Sequence, residues 1–521
     1  MSKSKIFLFL QFTLFFSLPV LAQVETAWVR RYNAGNSQGG ANALAVDDSG
    51  NVYVAGIGYD SVTKFDYITI KYTPNGDTVW VRSYNGPGNG YDEAEALAID
   101  NSGNVYITGH SIGDIYPDYT TIKYGPNGDT IWVRRYNNGP GNASDVAKAL
   151  VLDNAGNVYV TGWSSGSGNY YDYATIKYAP NGDTLWIRRY NGPGNYVDHS
   201  NALAIDDSGN VYVTGGSTGT IYPDFDYATI KYTPNGETVW VRRYDGPENY
   251  YDYAHALAVD DSGNVYVTGI SYDSVTNFDY ATIKYAPNGD TLWVRRYNGP
   301  GNLDDHAQAL AVDGSGNVYV TGYSWSGPSP DYVTIKYASN GDTVWVRRYN
   351  GPGNSYDQAY ALAVDDSGNV YVTGYSEGIG TSYDYATIKY APDGDSVWVR
   401  RYNGLGNSND LAKALAIDNS GNIYVTGSSI GSYPNYDYAT VKYVQFACVA
   451  KPGDATGDGK ILLTDVVTII NFLFRGAPAP VPFCREDANA NGEIKLSDIV
   501  YLINFLFKSG PAPLKSGVCC L

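Results

Sequence analysis

The chain has 521 residues with 53 acidic and 35 basic side chains, which gives a formal net charge of −18. This acidity argues against nucleic acid or an anionic membrane surface as the partner, because both attract basic patches. With 43% apolar residues there is ample material for a core. We therefore expect a folded protein that neither binds nucleic acid nor inserts into a membrane.

The N-terminus has the pattern of a secretory signal peptide. A lysine-containing start precedes an apolar run over 6–21, which ends in the small-residue cleavage pattern Val20-Leu21-Ala22 before Gln23. The run is too short for a comfortable membrane span, and no later run qualifies. The pattern predicts a signal peptide over 1–22 and a secreted or cell-surface protein.

Most of the chain repeats one unit. The stretch ALAVDDSGNVYVTG recurs in near-identical form every 52 to 54 residues, starting at Ala43, Ala96, Ala149, Ala202, Ala256, Ala309, Ala361 and Ala414. ALAVD and NVYVTG read as two strands joined by the tight DSGN turn, and DYATIKY and SVWVRRY form a second hairpin through APDGD. Four short strands in about 50 residues, with Gly-rich turns, are typical of a β-propeller.

The register of the repeat predicts how the ring closes. The chain opens with a lone fourth strand at Trp28 to Tyr32, and the last unit stops after its third strand at Tyr443. If these two pair, no sheet edge stays open. We predict an all-β fold, an eight-bladed propeller of four-stranded antiparallel blades with a shared closing blade, over 23–443. An open superhelical stack is the alternative, and it would leave two unpaired edges.

The repeated units resemble the bacterial β-propeller repeat called SBBP over residues 28–443, on the strength of ALAVDDSGNVYVTG and DYATIKY. The resemblance implies the fold and a bacterial origin. It implies almost nothing about activity, because propellers carry many unrelated functions.

One end of the propeller is predicted to vary between blades. The connections after TG and after RRYNGPGN differ in length and content, whereas the other two turns are nearly constant. Exposed aromatic side chains at this end would suit stacking on sugar rings. The candidate ligand-binding residues are Trp163, Trp325, Tyr323 and Tyr375; packing against their neighbours is the other interpretation.

Two further patterns are weaker. GxSxG occurs five times, beginning at Gly109, Gly162, Gly215, Gly374 and Gly427, but the serine hydrolase elbow needs a strand-to-helix turn, and no helix is predicted here. His199, His255 and His306 fall between successive blades, near Asp198, Asp252 and Asp305. They could bind a metal or act as acid and base, or they could be a chance scatter without HxH or HExxH spacing.

After a linker over 444–452, the composition changes abruptly in a second module over 453–521. DATGDGKILLTD (454–465) and DANANGEIKLSD (487–498) place oxygen donors at positions 1, 3, 5 and 12 and Gly at position 6, as a calcium loop requires. The spacing predicts two calcium ions. The ligands would be Asp454, Thr456, Asp458, Asp465 and the Lys460 carbonyl in loop one, and Asp487, Asn489, Asn491, Asp498 and the Glu493 carbonyl in loop two.

Each loop runs into a predicted helix, Val466 to Phe474 and Ile499 to Phe507. This duplicated unit resembles the type I dockerin, which implies calcium-dependent folding and docking onto a cohesin module of a scaffold or surface protein. By that resemblance, Leu463-Thr464 and Leu496-Ser497 help to choose the cohesin. Thr456 departs from the usual Asn or Asp, and the Pro-rich tails leave a different partner or an intramolecular clasp open. The pairing of Cys448, Cys484, Cys519 and Cys520 cannot be deduced.

Together these patterns predict a secreted, non-catalytic propeller that binds a glycan or a protein and is attached by a calcium-dependent dockerin to a cohesin-bearing assembly. An accessory role in polysaccharide breakdown is implied by the dockerin resemblance. Two alternatives stay open. One is a polysaccharide-active enzyme, a glycosidase or lyase with carboxylates at the ring mouth. The other is a structural surface adhesin.

Overall fold

The computed structural model describes residues 24–33, 39–138, 144–166, 170–220, 224–432, 435–445, 453, 455–456, 460–475 and 495–508. Glu25–Val444 forms one compact unit. It consists of eight four-stranded antiparallel sheets, the blades of a propeller. The predicted eight-bladed fold is therefore confirmed.

The strands follow one another blade by blade. Blade 1 contains β2 (Gly40–Val46), β3 (Val52–Asp60), β4 (Lys64–Tyr72) and β5 (Thr78–Tyr84), and blade 2 contains β6 (Glu93–Ile99), β7 (Val105–Ile112), β8 (Pro117–Tyr124) and β9 (Thr130–Tyr136). Blade 3 contains β10 (Asp145–Leu152), β11 (Val158–Ser165), β12 (Tyr171–Tyr178) and β13 (Thr184–Tyr190), and blade 4 contains β14 (Asp198–Ile205), β15 (Val211–Thr218), β16 (Phe225–Tyr232) and β17 (Thr238–Tyr244).

The second half of the ring repeats the same order. Blade 5 contains β18 (Asp252–Val259), β19 (Val265–Asp273), β20 (Asn277–Tyr285) and β21 (Thr291–Tyr297), and blade 6 contains β22 (Asp305–Val312), β23 (Val318–Trp325), β24 (Pro330–Tyr337) and β25 (Thr343–Tyr349). Blade 7 contains β26 (Asp357–Val364), β27 (Val370–Glu377), β28 (Tyr383–Tyr390) and β29 (Ser396–Tyr402). Blade 8 combines β30 (Asp410–Ile417), β31 (Ile423–Ser432) and β32 (Asn435–Gln445) with β1 (Val24–Tyr32).

Blade 8 closes the ring with strands from distant parts of the chain. Its order is β1-β32-β31-β30, so the first described strand is the outer strand of the last blade. The guanidinium of Arg31 on β1 lies 2.9 Å from the carboxylate of Asp437 on β32. The predicted closing blade is confirmed, and the open stack is excluded for this structure.

The Trp residues that recur in every repeat pack the joints between blades. Trp345 is 5% exposed, and its ring centroid lies 6.2 Å from that of Tyr319 in its own blade and 6.0 Å from that of Tyr390 in the next. Its indole N–H donates to the carbonyl of Pro392, at 3.1 Å. One aromatic side chain thus combines a large buried surface with a hydrogen bond across the joint.

The repeated Asp of ALAVD and Lys of TIKY have structural roles. The Asp365 carboxylate accepts hydrogen bonds from the backbone of Ser367 and Asn369 and from the Tyr371 hydroxyl, which fixes the hairpin turn. Lys336 donates to the carbonyl of Pro392 in the next blade at 3.1 Å.

A second repeated network, which we call the latch, joins neighbouring blades through a charged group. In blade 6, Arg348 pairs with Asp331 at 2.9 Å and donates to the Ser324 hydroxyl at 2.8 Å. It also reaches the Tyr297 hydroxyl of blade 5 at 3.4 Å. The serine is the one in GxSxG in five blades, so those serines lie in strands and bond to arginine, which is not the setting of a nucleophile elbow.

Blade 1 departs from this pattern. It carries Ser83 where the other blades carry the latch arginine and Gly58 where they carry the serine. Asp66 keeps its place, is 6% exposed, and accepts a hydrogen bond from the Thr63 hydroxyl at 2.8 Å. Burial raises the pKa of Asp66 above its usual value, although the Thr63 hydrogen bond opposes this shift.

Two helices, α1 (Leu463–Arg475) and α2 (Leu496–Lys508), belong to the C-terminal module. Both begin three residues before the predicted starts at Val466 and Ile499, so those boundaries were wrong. The reason is a cap: the carboxylates of Asp465 and Asp498 accept hydrogen bonds from the backbone N–H of Leu462 and Lys495, the residues just before each helix. Neither helix is long and apolar enough to cross a membrane.

The helix pair has its own core and an exposed apolar face. Val466, Ile469, Ile499 and Leu502 form the core together with Ala455. The exposed apolar side chains occupy equivalent positions of the two helices: Leu463 and Leu496 (56% and 59% exposed), Val467 and Val500 (47% and 50%), and Phe474 and Phe507 (65% and 66%). The predicted ligands Asp454, Asp458, Asp487, Asn489, Asn491 and Glu493 lie outside the described residues.

Candidate binding site

The first strands of the blades line the central channel. Each contacts the first strand of the blade before it and of the blade after it, so eight strands surround the axis. In every blade the register with the second strand shifts at one residue, for example between Ala359 and Ala361, which leaves Tyr360 without a partner on β27. Such β-bulges re-aim a side chain and are common next to functional sites.

Glycine makes room for each bulge. A Cβ on Gly374, the glycine of the TG pair on β27, would collide with the carbonyl oxygen of Gln358 on β26. The same clash recurs at the TG glycine of blade 6, where the Gly322 Cβ would meet the His306 carbonyl. The TG sequence therefore fixes where the bulge occurs.

Two sets of side chains on the first strands differ from blade to blade. The bulged residues, here called the bulge ring, are Asn42, Glu95, Lys148, Asn201, His255, Gln308, Tyr360 and Lys413. The residues two positions earlier, here called the mouth ring, are Gly40, Glu93, Val146, His199, Tyr253, His306, Gln358 and Leu411. The residue between the two rings is alanine in seven blades and Ser200 in blade 4, so variation is concentrated in the two rings.

Charged and amide side chains meet on the side of blades 8, 1, 2 and 3. The Lys148 ammonium lies 2.5 Å from Glu95 Oε1, and Lys413 donates to Asn42 Oδ1 at 2.9 Å. Asn42 in turn donates to Glu93 Oε1 at 2.8 Å. Burial raises the pKa of Glu95, and Lys148 and, more weakly, Lys413 oppose this shift. Two carboxylates and two ammonium groups thus balance in this sector.

Aromatic and imidazole rings occupy the side of blades 3 to 7. His199 lies 5.3 Å from Trp163 between ring centroids, and His306 stacks on Tyr323 at 4.8 Å with an interplanar angle of 15°. Burial lowers the pKa of His199 and of His306 to about 4. Both imidazoles are therefore neutral at neutral pH and offer one donor and one acceptor each.

The four aromatic residues predicted to contact a ligand all lie at this end of the propeller. Trp163, Tyr323 and Tyr375 occupy the same position of three second strands, directly opposite a mouth-ring residue. All three pack against neighbours and are only partly exposed. Trp325 lies two residues further along β23 and contacts Tyr356 edge-on at 5.6 Å. Their role in binding stays a prediction.

The three histidines do not form a metal cluster among the described residues. There, the one group of His, Cys, Asp or Glu ligand atoms within 4.8 Å of one another is Asp224, Asp226 and Asp245, without histidine. Arg243 already pairs with Asp226 in the latch of blade 4. The imidazole of His255 instead hydrogen-bonds the carbonyl of Ala307 at 2.8 Å.

A buried aspartate precedes the mouth ring in seven blades and predicts a pH effect on stability. Asp252 is fully buried, and burial raises its pKa to about 7 against the hydrogen bonds from Ser271 and the Gly246 N–H. Since the folded pKa exceeds the unfolded value of about 3.9, the stability due to the neutral carboxyl is fully present below pH of about 4 and is lost as pH rises towards 7.

We therefore expect Asp252→Asn to raise the free energy of unfolding at pH 8 by about 1 kcal/mol or more, with a smaller gain at pH 5. Urea unfolding at both pH values measures the difference. A variant that is equally stabilised at both pH values, or destabilised at pH 8, would contradict the ionisation explanation.

Clefts between blades at the opposite end carry no comparable variation. One lies between blades 5 and 6 and includes Asp260, Lys284 and Ser339; the next lies between blades 6 and 7 and includes Asp313 and Lys336. Their side chains belong to the constant turn and lysine contacts of the repeat. These clefts therefore arise from the packing of the repeats themselves. The candidate site is the channel mouth.

Comparisons with known proteins support the fold. The sequence pattern of the beta-propeller repeat SBBP matches seven segments, 79–117, 131–170, 185–223, 239–273, 292–328, 344–380 and 397–434. An uncharacterised WD repeat-containing protein of Acanthamoeba polyphaga mimivirus is 22% identical over 404 residues, 62% of this chain but only 27% of that protein.

Solved structures of Sqt1 from Chaetomium thermophilum have the same architecture at low identity. Sqt1 bound to the N-terminus of a ribosomal protein aligns with a TM-score of 0.53 and 11% identity, covering 80% of this chain and 98% of Sqt1. Unbound Sqt1 aligns at 0.52 and 10%, covering 82% and 100%. At these identities the likeness shows the fold alone.

Proposed function

Because the chain belongs to the beta-propeller repeat (SBBP) family, whose fold leaves activity open, we propose a function from its own residues. The protein is a secreted, non-catalytic binding module that takes a glycan or protein ligand at the channel mouth. A C-terminal calcium-loaded helix pair of the dockerin type attaches it to a cohesin-bearing extracellular assembly, where it serves polysaccharide breakdown as an accessory part.

One observation carries the binding role. The blades are nearly identical, yet the bulge ring has six different residue types in eight positions and the mouth ring has seven. A purely structural ring has no need of different side chains at the positions where its backbone is re-aimed into the channel. Variation restricted to one end of a channel suits recognition of an asymmetric ligand.

A second candidate function, a polysaccharide-active enzyme, is favoured by one specific feature. Glu93 and Glu95 both lie at the mouth, and burial, with a smaller contribution from the charge of Glu93, raises the pKa of Glu95. A glycosidase needs two carboxylates with different proton affinities. Here, however, the Glu95 carboxylate pairs with Lys148, which favours a structural or binding role.

The attachment is supported by the duplicated helix module. Asp465 and Asp498, the twelfth residues of the two predicted loops, are both fully buried. Asp465 Oδ1 accepts hydrogen bonds from the Thr456 N–H and hydroxyl, both at 2.9 Å, so the first loop folds back onto its own last ligand. The carboxylates would hold calcium with the other loop oxygens. The exposed Leu463, Val467 and Phe474, matched on α2, provide an apolar face for a partner.

Calcium removal tests this half of the proposal. We expect a chelator to melt α1 and α2 while the propeller stays folded, because ion binding stabilises the folded loops by mass action. Circular dichroism and limited proteolysis of the full chain, with and without calcium, measure the change. Asp465→Ala should reproduce it in calcium, whereas Asp60→Ala, at the exposed end of β3 in blade 1, should not. Helices that persist unchanged in chelator would contradict a calcium module.

The binding half is tested by native gel electrophoresis of the protein through lanes cast with different polysaccharides, stained for protein and for polysaccharide. Retardation in an intact lane supports a glycan-binding module, and a cleared zone supports the enzyme instead. His306→Leu introduces the mouth-ring residue of blade 8 and should abolish retardation. Asn154→Asp, a turn substitution that other repeats already carry, should not. Unchanged mobility in every lane would leave a protein ligand or an adhesin.

A further inference from the structure

Within the bulge ring, one neighbouring pair of side chains is more exposed than the rest. Tyr360 of blade 7 and Lys413 of blade 8 are exposed, and the other six members are only partly so. Their strands, β26 and β30, contact each other. An exposed aromatic ring and an exposed ammonium group therefore belong to the first strands of two neighbouring blades at the channel.

The tyrosine ring is held in place by its surroundings. The Tyr360 hydroxyl donates to Gln358 Oε1 at 3.1 Å, and the Tyr375 hydroxyl donates to the same oxygen at 2.7 Å. The rings of Tyr360 and Tyr375 lie 5.7 Å apart with an interplanar angle of 34°. The Tyr360 side chain is 37% exposed and is held from one side, so a ligand can stack on it with little loss of side-chain entropy.

The ammonium group of Lys413 forms no ion pair with a described residue, although its charge opposes the upward pKa shift of Glu95 from further away. Among the described residues, no carboxylate oxygen lies within 4.0 Å of its Nζ, and its hydrogen bond goes to the neutral amide of Asn42. The other lysine of the ring, Lys148, is paired with Glu95. An incoming anionic group can thus take a place beside Lys413 without displacing an ion-pair partner.

We propose that Tyr360 and Lys413 form a subsite for an acidic sugar residue, with the pyranose ring on Tyr360 and its carboxylate on Lys413. This rests on the proposed glycan-binding function and specifies its ligand class as uronic acid-containing polysaccharide. The ammonium group of Lys413 would pair with a carboxylate that the sugar ring presents.

The test is calorimetric titration of the full chain with oligomers of galacturonic, glucuronic, mannuronic and guluronic acid and with the methyl ester of each. At least one acid oligomer should bind, and its ester should bind about tenfold more weakly, as expected for loss of one charged hydrogen bond. Lys413→Gln should lower the affinity for the acid to that of the ester and leave the affinity for the ester unchanged.

Matched variants separate the subsite from general effects. Lys64→Gln removes the same charge from the same end of the propeller outside the ring and should change nothing. Lys413→Gln and Tyr360→Asn both introduce residues that other blades carry at this position, so folding should be preserved; their melting temperatures check this. Tyr360→Phe should retain binding of acid and ester, whereas Tyr360→Asn should weaken both about fivefold.

The inference is overturned if Lys413→Gln weakens acid and ester equally, or if no acid oligomer binds more tightly than its ester. When neutral oligosaccharides bind and the acids do not, the acidic subsite fails and the glycan-binding function stands. When no glycan of either kind binds, both fail.

Discussion

Trp28→Ala is expected to cost about 3–5 kcal/mol of unfolding free energy, as much as the same change in the middle of the chain. Trp28 lies near the start of the described residues, yet it is 8% exposed and packs between Tyr72 and Tyr424, with centroid distances of 6.2 and 6.1 Å. Its indole N–H donates to the Pro74 carbonyl at 3.0 Å. Removing the side chain leaves a cavity at the joint between blades 8 and 1.

The matched variant is Trp293→Ala, at the joint between blades 5 and 6. Trp293 is also 8% exposed, lies between Tyr266 and Tyr337, and donates to the Ser339 carbonyl at 3.2 Å. Urea unfolding of both variants measures the two costs. In an open stack of blades Trp28 would belong to a frayed terminal strand, so a cost below about 1 kcal/mol for Trp28→Ala alone would contradict the closed ring.

The second large effect is expected from Arg348→Ser, which gives blade 6 the residue that blade 1 has naturally. The change removes the bonds of Arg348 to Asp331, to Ser324 and to the Tyr297 hydroxyl of the preceding blade. It also leaves Asp331 as an uncompensated, nearly buried carboxylate. We expect a loss of about 3 kcal/mol in the free energy of unfolding, measured by urea unfolding at pH 7.

The same substitution at two equivalent aspartates should act in opposite directions. Asp331→Asn breaks the pair with Arg348 and should destabilise the protein. Asp66→Asn removes a carboxylate whose pKa is raised by burial, in a blade that has Ser83 in place of the latch arginine, so it should stabilise the protein at pH 7. Two changes of the same sign would show that the latch charge is not what stabilises the joints.

The fold was predictable because several independent features of the sequence indicate the same architecture. Period, turn residues and strand patterns repeat eight times, and the unpaired strand at Trp28 to Tyr32 predicts its own partner by the register alone. The helix starts were less predictable. Asp465 was interpreted only as a loop ligand, whereas in the structure it also caps α1 and lies inside the first turn.

The candidate site was predicted only in part. Variation in the connections indicates Trp163, Trp325, Tyr323 and Tyr375, but it does not indicate the bulge and mouth rings. The signal was present, since the residues between the nearly constant Asp, Ala and Leu vary from blade to blade. The sequence pattern alone could not show the bulge. The alternation of a β-strand places Tyr360 and Ala361 on opposite faces of the sheet, but it does not indicate which of the two lies on the face towards the channel.

The shared closing blade also determines when the ring can close during synthesis of the chain. Arg31 and its partner Asp437 are separated by 406 residues, so β1 is made first and stays unpaired until nearly the entire ring has been synthesised. The entropic penalty of joining such distant ends grows only with the logarithm of the separation. The delay, however, exposes a strand edge to other chains throughout biogenesis. The ring therefore closes in a single late step, because β1 has no strand to pair with until the last blade has been made.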